Sequence, residues 1–154
     1  MKLTSASINN NEALATVAIG YLLKLSGTMT AAKAMLILPF IFHPPTVRKL
    51  RGNSLKRSLE ELIVKNPECF ISFNARFVDY LPLSVNAVTI LQETNLVTVL
   101  RDQITFNYAT DFSPEYTRKI GKRAGDFLPA IEALSDIFKE QSENSLYLKL
   151  KIEL

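Results

Sequence analysis

The stretch Leu38–Leu50, LPFIFHPPTVRKL, places the only histidine of the chain between an apolar run and two consecutive prolines. The run before it, AAKAMLILPFIF, is apolar on nearly every face, which predicts a helix through the middle of the domain, capped by Thr30. Pro39 costs such a helix about 3 kcal/mol unless the helix bends or begins a new turn, and we expect a kink. Pro44 disfavours helical backbone at the preceding residue, so the helix should stop near His43, where the dipole would favour a protonated imidazole, and Pro45 or Thr46 should start the next element.

The composition predicts one ordered domain. The 154 residues include 47% hydrophobic residues, enough to form a core, and the net charge of +3 is compatible with an acidic partner or nucleic acid without requiring either. Cys69 is the only cysteine, so no internal disulfide can form. The apolar run is about half as long as a membrane span. With no apolar core for a signal peptide in MKLTSASINN, we expect a cytoplasmic protein that does not enter a membrane.

Apolar spacing predicts helices on both sides of this central segment. One begins near Glu12 and ends at Gly27, another covers 54–66, and a third begins at Pro67 and is interrupted at Pro82 before a further helix to Asn95. The stripe predicted to be buried in the third helix consists of Phe70, Phe73, Ala75, Phe77, Val78 and Leu81. These segments predict a mainly helical fold.

The pattern changes to that of strands after Asn95. LVTVL and ITFNY predict a β-hairpin, with Asp102 as the turn residue expected to be left-handed. Two helices divided at Pro82 and followed by a hairpin have the order of a winged-helix module, at about residues 55–109. The fold class is therefore mainly α with a small β-hairpin, a single winged-helix-like domain over 1–154.

The segment after the hairpin predicts a long helix and a short terminal element. Ser113 can cap the helix, Pro114 fits its first position, and Pro129 should bend it. The tail LYLKLKIEL alternates apolar and polar residues, which is compatible with a terminal strand, and a short helix is equally open.

The residues that carry chemistry do not form a catalytic or metal-binding pattern. One histidine and one cysteine cannot supply a zinc site, and the glycines at 20, 27, 52, 121 and 125 form no phosphate-binding loop. The carboxylates Glu60, Glu61, Glu132 and Asp136 have the spacing of solvated helix faces. We therefore predict no enzyme activity and no cofactor.

Basic residues form two clusters, and either could contact phosphate groups. The first contains Arg48, Lys49, Arg51, Lys56 and Arg57, and the second contains Arg118, Lys119, Lys122 and Arg123. The presumed recognition helix, Pro82–Asn95, has no Lys or Arg, which argues against sequence-specific DNA binding. A solvated basic face, nonspecific DNA contact and an acidic protein surface all remain open.

The segment LILPFIFHPPTVRKL, preceded by NEALATVAIGYLLKL, resembles the middle component of bacterial ABC three-component systems, the Lamassu-type defence operons. The similarity includes the helix start Asn11–Leu14, with Glu12 in place of a proline, and the signature Leu38–His43 with Thr46 and Leu50. Val47 separates Thr46 from Arg48, where the family has an adjacent Thr-Arg pair. Further similar positions are Ala124–Leu128 and Leu146–Tyr147.

The resemblance implies a non-catalytic adaptor. Such a subunit joins an SMC-like ABC ATPase to a separate effector, often a nuclease, in an antiphage complex that acts on DNA, and its fold resembles the winged-helix accessory subunits of SMC complexes. We hypothesise that His43 caps the buried helix and fixes the following loop, which presents a surface to a partner or to DNA. The partner-binding candidates are His43, Thr46, Arg48 and Leu50, and the candidates for DNA-backbone contact are Lys49, Arg51, Lys56 and Arg57.

Two other functions remain open. The basic clusters fit a nonspecific DNA-binding or regulatory winged-helix protein, whose DNA affinity should fall steeply with salt. A small enzyme that uses only carboxylates is the other alternative, although no pattern pairs the carboxylates.

Overall fold

The computed structural model describes residues 5–52, 58–113 and 122–154. The helices within them are α1 Ser5–Ser26, α2 Ala31–Ala34, α3 Ile37–Ile41, α4 Pro44–Arg51, α5 Leu59–Lys65, α6 Phe73–Glu93, α7 Lys122–Lys139 and α8 Glu143–Lys149, with a 3-10 turn at Pro67–Cys69. The strands are β1 Thr28–Thr30, β2 Val97–Leu100 and β3 Gln103–Phe106. The predicted class, mainly helical with a small β element, is confirmed.

Helix α1 lies against α6 and α7 and carries much of the core. It begins before the predicted start at Glu12 and ends as predicted at Gly27, whose φ of +79° favours glycine. Gly20 brings α1 close to α6, because a Cβ at this position would lie only 3.0 Å from the Cδ2 of Leu91. Gly20 therefore sets the spacing of these two helices.

The central segment is buried as predicted, but it forms two helices. Thr30 caps α2 by accepting a hydrogen bond from the Lys33 amide at 3.2 Å. The chain then breaks at Met35 and Leu36, so Pro39 is the third residue of α3, where an amide would have no partner within the helix. Every residue from Leu36 to Phe42 is buried. The break replaces the kink that we expected at Pro39.

Pro82 does not interrupt α6, and this prediction was wrong. The helix is continuous from Phe73 to Glu93, and Pro82 lies on its exposed side. Pro82 removes the amide that would bond the carbonyl of Val78, but Val78 is also exposed, so water can reach that carbonyl. Ala75 and Val78, which we predicted to be buried, are exposed on the same side of α6 as Pro82.

The hairpin is confirmed, and a third strand joins it. In the sheet the order is β1-β3-β2 and both pairs are antiparallel, with Met29 opposite Ile104 and Val97 opposite Phe106. The left-handed turn residue is Arg101, with φ of +57°, so the assignment to Asp102 was wrong. The carbonyl of Asp102 instead accepts a hydrogen bond from the Ala31 amide at 2.7 Å. The winged-helix module predicted at about 55–109 remains a prediction, and β1 lies outside its boundaries.

The C-terminal part of the chain is helical. Pro129 lies inside α7 on its exposed side. The predicted cap Ser113 is the last described residue before 114–121, and the first turn predicted at Pro114 lies outside the described residues. The tail forms α8, because Ser142 accepts a hydrogen bond from the Ser145 amide and starts a helix. Of the strand and the helix that the sequence left open for the tail, the structure shows the helix.

Candidate partner-binding surface

Helix α4 is the part of the Leu38–Leu50 stretch that reaches the surface. It begins with Pro44 and Pro45, whose fixed φ suits the first turn and whose missing amides are not needed there. His43, with φ of −114° and ψ of 101°, is its N-cap residue and directly follows Phe42, the C-cap of α3. α3 thus ends close to the predicted residue, and a helix, not the expected loop, follows the histidine.

His43 is tied to this helix by its side chain. Its Nδ1 lies 2.7 Å from the Oγ1 of Thr46, and Thr46 is completely buried. Burial lowers the pKa of His43 from its ordinary value of 6.5, and the positive charges of Arg76 and Arg48 lower the pKa further. This environment favours the neutral imidazole, whereas a position at a helix C-terminus would have favoured the protonated ring.

Arg76 of α6 joins the same region, and the sequence analysis did not single it out. Its Nε donates to the carbonyl of Pro39 at 3.2 Å and its Nη2 donates to the carbonyl of Cys69 at 2.7 Å. Pro39 lies near the end of the five-residue helix α3, where carbonyls have no partner within the helix. The guanidinium also lies 5.3 Å from the centre of the Phe73 ring. The sequence signal that could have identified Arg76 is its positive charge on an otherwise apolar face of the helix.

The exposed face of α4 is basic. Arg48, Lys49 and Arg51 occupy its last two turns and all are exposed. Arg51 pairs with Asp126 of α7 at 3.1 Å, and both side chains are about two-fifths exposed, so the pair adds little stability. The side chains of Arg48 and Lys49 extend this face toward solvent.

The structure separates the predicted site residues into two groups. Thr46 is completely buried and Leu50 is 8% exposed, because both face the core side of α4. As folded, neither side chain offers a surface to a partner, and both support the helix from inside. His43 is half-buried, whereas Arg48, Lys49 and Arg51 are exposed. Lys56 and Arg57 lie outside the described residues.

The structure describes only part of the second basic cluster. Arg118 and Lys119 lie outside the described residues, and Lys122 and Arg123 begin α7. The second half of α6, which corresponds to the presumed recognition helix, carries Glu93 as its charged residue. Its polar residues Asn86 and Gln92 are exposed.

Titratable groups elsewhere take part in structural contacts. Cys69 is buried and free. Tyr21 donates its hydroxyl to Glu132 at 2.9 Å, and Glu60 accepts a hydrogen bond from Lys149, which contributes to a Glu60 pKa of about 2. No group of three His, Cys, Asp or Glu residues that could hold a metal ion occurs in the part of the chain that the structure describes.

Comparison with known proteins identifies the family. Among the residues with described structure, no helix combines the length and hydropathy needed to cross a membrane. No curated protein and no solved structure matches the chain. Residues 11–154 match the family model described as ABC-three component (ABC-3C) system Middle Component 3. Because this match covers nearly the whole chain, the protein belongs to the family of middle component 3 of ABC three-component systems.

Proposed function

We propose that this protein is a non-catalytic adaptor that joins an SMC-like ABC ATPase to a separate effector, such as a nuclease, in a Lamassu-type antiphage complex of the cytoplasm. The observation that carries the proposal is the match to a middle component over residues 11–154. An adaptor needs surfaces for more than one partner, and the exposed sides of α4 and α6 are two candidates.

The chemistry of the described residues supports a binding role. The histidine is held against a buried threonine and the cysteine is buried, so neither is placed as a nucleophile or base facing a pocket. The exposed basic face of α4 instead suits the surface of an acidic protein or the DNA on which the complex acts.

A tagged pull-down tests the adaptor function. The chain is expressed with the products of its neighbouring genes, and the eluate is compared with and without nuclease treatment. The proposal predicts nuclease-resistant recovery of a large ABC ATPase. Recovery of DNA with no ATPase would contradict it.

Direct DNA binding is a second candidate function, and the exposed residues Arg48, Lys49 and Arg51 are the observation that favours it. A nonspecific DNA-binding protein should lose affinity steeply between about 50 and 200 mM salt. An adaptor measured alone should bind DNA weakly at both concentrations. Fluorescence anisotropy with a labelled duplex separates these two functions.

A further inference from the structure

The outward side of α6 carries a row of exposed apolar side chains. Ile71, in the turn before the helix, is 85% exposed, Val78 is 54% exposed and Val85 is 51% exposed. These residues are seven positions apart, which places them on one line along the helix. Ala75, Pro82 and Thr89 are also exposed and fill the same line at steps of four and three residues. We call these six residues the α6 stripe.

The α6 stripe differs from an ordinary solvent face. The outer side of an amphipathic helix usually carries charged residues. Here no charged residue lies in the stripe, although it runs for most of a helix about 30 Å long. Single exposed apolar residues are common, but a continuous row of them marks an interaction surface. Steps of four and three residues are the spacing of a coiled-coil seam, so a second helix fits this surface.

The charges beside the stripe indicate which helix would fit. Asp79 and Glu93 are the exposed charged residues of α6, and its arginine, Arg76, turns inward to the carbonyls of Pro39 and Cys69. A second copy of this chain, paired through α6, would bring Asp79 near the Asp79 of its partner, while Arg76 is engaged by the carbonyls of Pro39 and Cys69 within its own chain. A helix with Lys or Arg beside its apolar seam would complement these acids.

The C-terminal residues contact the first turn of α6. The amide of Glu153 donates to the Oδ1 of Asn74 at 3.0 Å, which holds the tail against α6.

We propose that the α6 stripe is the docking site for an amphipathic helix of another subunit of the same system, with an apolar heptad seam and flanking Lys or Arg residues. This inference rests on the proposed function, since it needs a partner subunit. It assigns the protein contact to α6 and leaves the basic face of α4 free for another contact.

Charge substitutions within the stripe test the docking site. The full-length chain with Val78→Glu or Val85→Glu is co-expressed with the neighbouring subunits. Each carboxylate would be buried without a partner in the interface, so we expect affinity to fall by at least about tenfold. The matched control is Val64→Glu on α5, because Val64 is 78% exposed and lies outside the stripe. All variants should keep the unfolding midpoint of the original chain.

The outcomes separate the docking site from the adaptor function. If the unaltered chain assembles with a subunit and both glutamate variants assemble equally well, the docking site is wrong and the adaptor function stands. If the unaltered chain binds no subunit of the system, the adaptor function fails and the docking site fails with it. Loss of binding in the Val64→Glu control to the same extent would also contradict the docking site.

A photo-crosslinking residue at position 85 tests the chemistry of the occupant. The proposal predicts a crosslink to a helix of another subunit that has an apolar heptad seam and flanking Lys or Arg residues. A crosslink to a second copy of this chain would overturn the proposal, as would an isolated chain that is dimeric by light scattering and becomes monomeric with Val78→Glu.

Discussion

The Leu38–Leu50 segment and the α6 stripe represent opposite uses of apolar residues. In the first, the apolar residues from Leu36 to Phe42 are buried and the following residues hold α4 in place. In the second, apolar residues such as Val78 and Val85 are exposed along a helix. The segment that is distinctive in sequence therefore packs into the fold, whereas the docking surface that we propose on α6 has no distinctive sequence.

Phe40→Ala should have the largest effect on stability. Phe40 is completely buried, and its ring lies 4.8 Å from the ring of Phe73 in an edge-to-face arrangement. Truncation leaves a cavity, so we expect the free energy of unfolding to fall by about 4 kcal/mol in urea denaturation. Val85→Ala on α6 is the control, with an expected change within about 0.5 kcal/mol. Equal losses in the two variants would remove the distinction between the regions.

Arg76→Met should have the next largest effect. It leaves the carbonyls of Pro39 and Cys69 without their guanidinium donors, which should lower the free energy of unfolding by about 3 kcal/mol. The exposed Arg48→Met should change it by no more than about 0.5 kcal/mol. Chemical denaturation of both variants checks this, and a neutral effect at Arg76 would show that α3 does not depend on this cap.

Thr46→Val should cost about 1 kcal/mol, because it removes the hydrogen bond to His43 while keeping the shape of the buried side chain. Thr89→Val is the same substitution in the α6 stripe, where the hydroxyl bonds the carbonyl of Val85 within its own helix and is exposed. Thermal unfolding of the pair should show a clear loss at position 46 only. A larger loss at position 89 would contradict our interpretation of α6 as a surface that the fold does not need.

The pH dependence of stability should contain a contribution from His43. Since folding lowers the pKa of His43, the unfolded chain binds the proton more tightly, and the stabilisation is complete above about pH 6.5 and is lost as pH falls through the lowered pKa. Glu60, with a pKa of about 2, loses its contribution only below its ordinary value of 4.5. Denaturation between pH 5 and 8 should therefore show a smaller slope for His43→Gln than for the original chain. Identical slopes of stability against pH in the two proteins would contradict a lowered pKa for His43 in the folded state.

Arg51→Met should have the smallest effect. The pair with Asp126 is exposed, so its loss should change the free energy of unfolding by less than about 0.5 kcal/mol. The loss should shrink further in high salt. Comparison with Asp126→Asn and the double variant measures the coupling, and a coupling above about 1 kcal/mol would show that this contact fixes α4 to α7.

Sequence patterns predicted the parts of the fold in which local signals agree. The ends of α1 and α3, the buried central segment and the hairpin follow from Gly27, the prolines and the apolar spacing. The errors arose where position in the fold changed the effect of a residue. A proline inside a helix removes one backbone hydrogen bond, and we expected both prolines to disturb their helices for this reason. Pro39 instead lies in the first turn of a short helix, and Pro82 lies on the exposed side of a continuous helix.

The candidate site was only partly predictable for a related reason. The sequence indicated the basic residues of α4, but it could not show that Thr46 and Leu50 face inward. Apolar spacing predicts which residues share one face of a helix, but it does not predict whether another element packs on that face. Ala75 and Val78 therefore fit a buried face as well as an exposed one. The packing of α6 on α1, which is distant in sequence, determines which face of α6 is buried.

The most direct test of the adaptor function is the mass of the nuclease-treated complex, measured by light scattering after co-expression with the neighbouring subunits. We predict that this chain elutes with the ABC ATPase in a fixed stoichiometry and remains with it through a second column. Elution of the chain alone, while the ATPase is present and folded, would contradict the adaptor function.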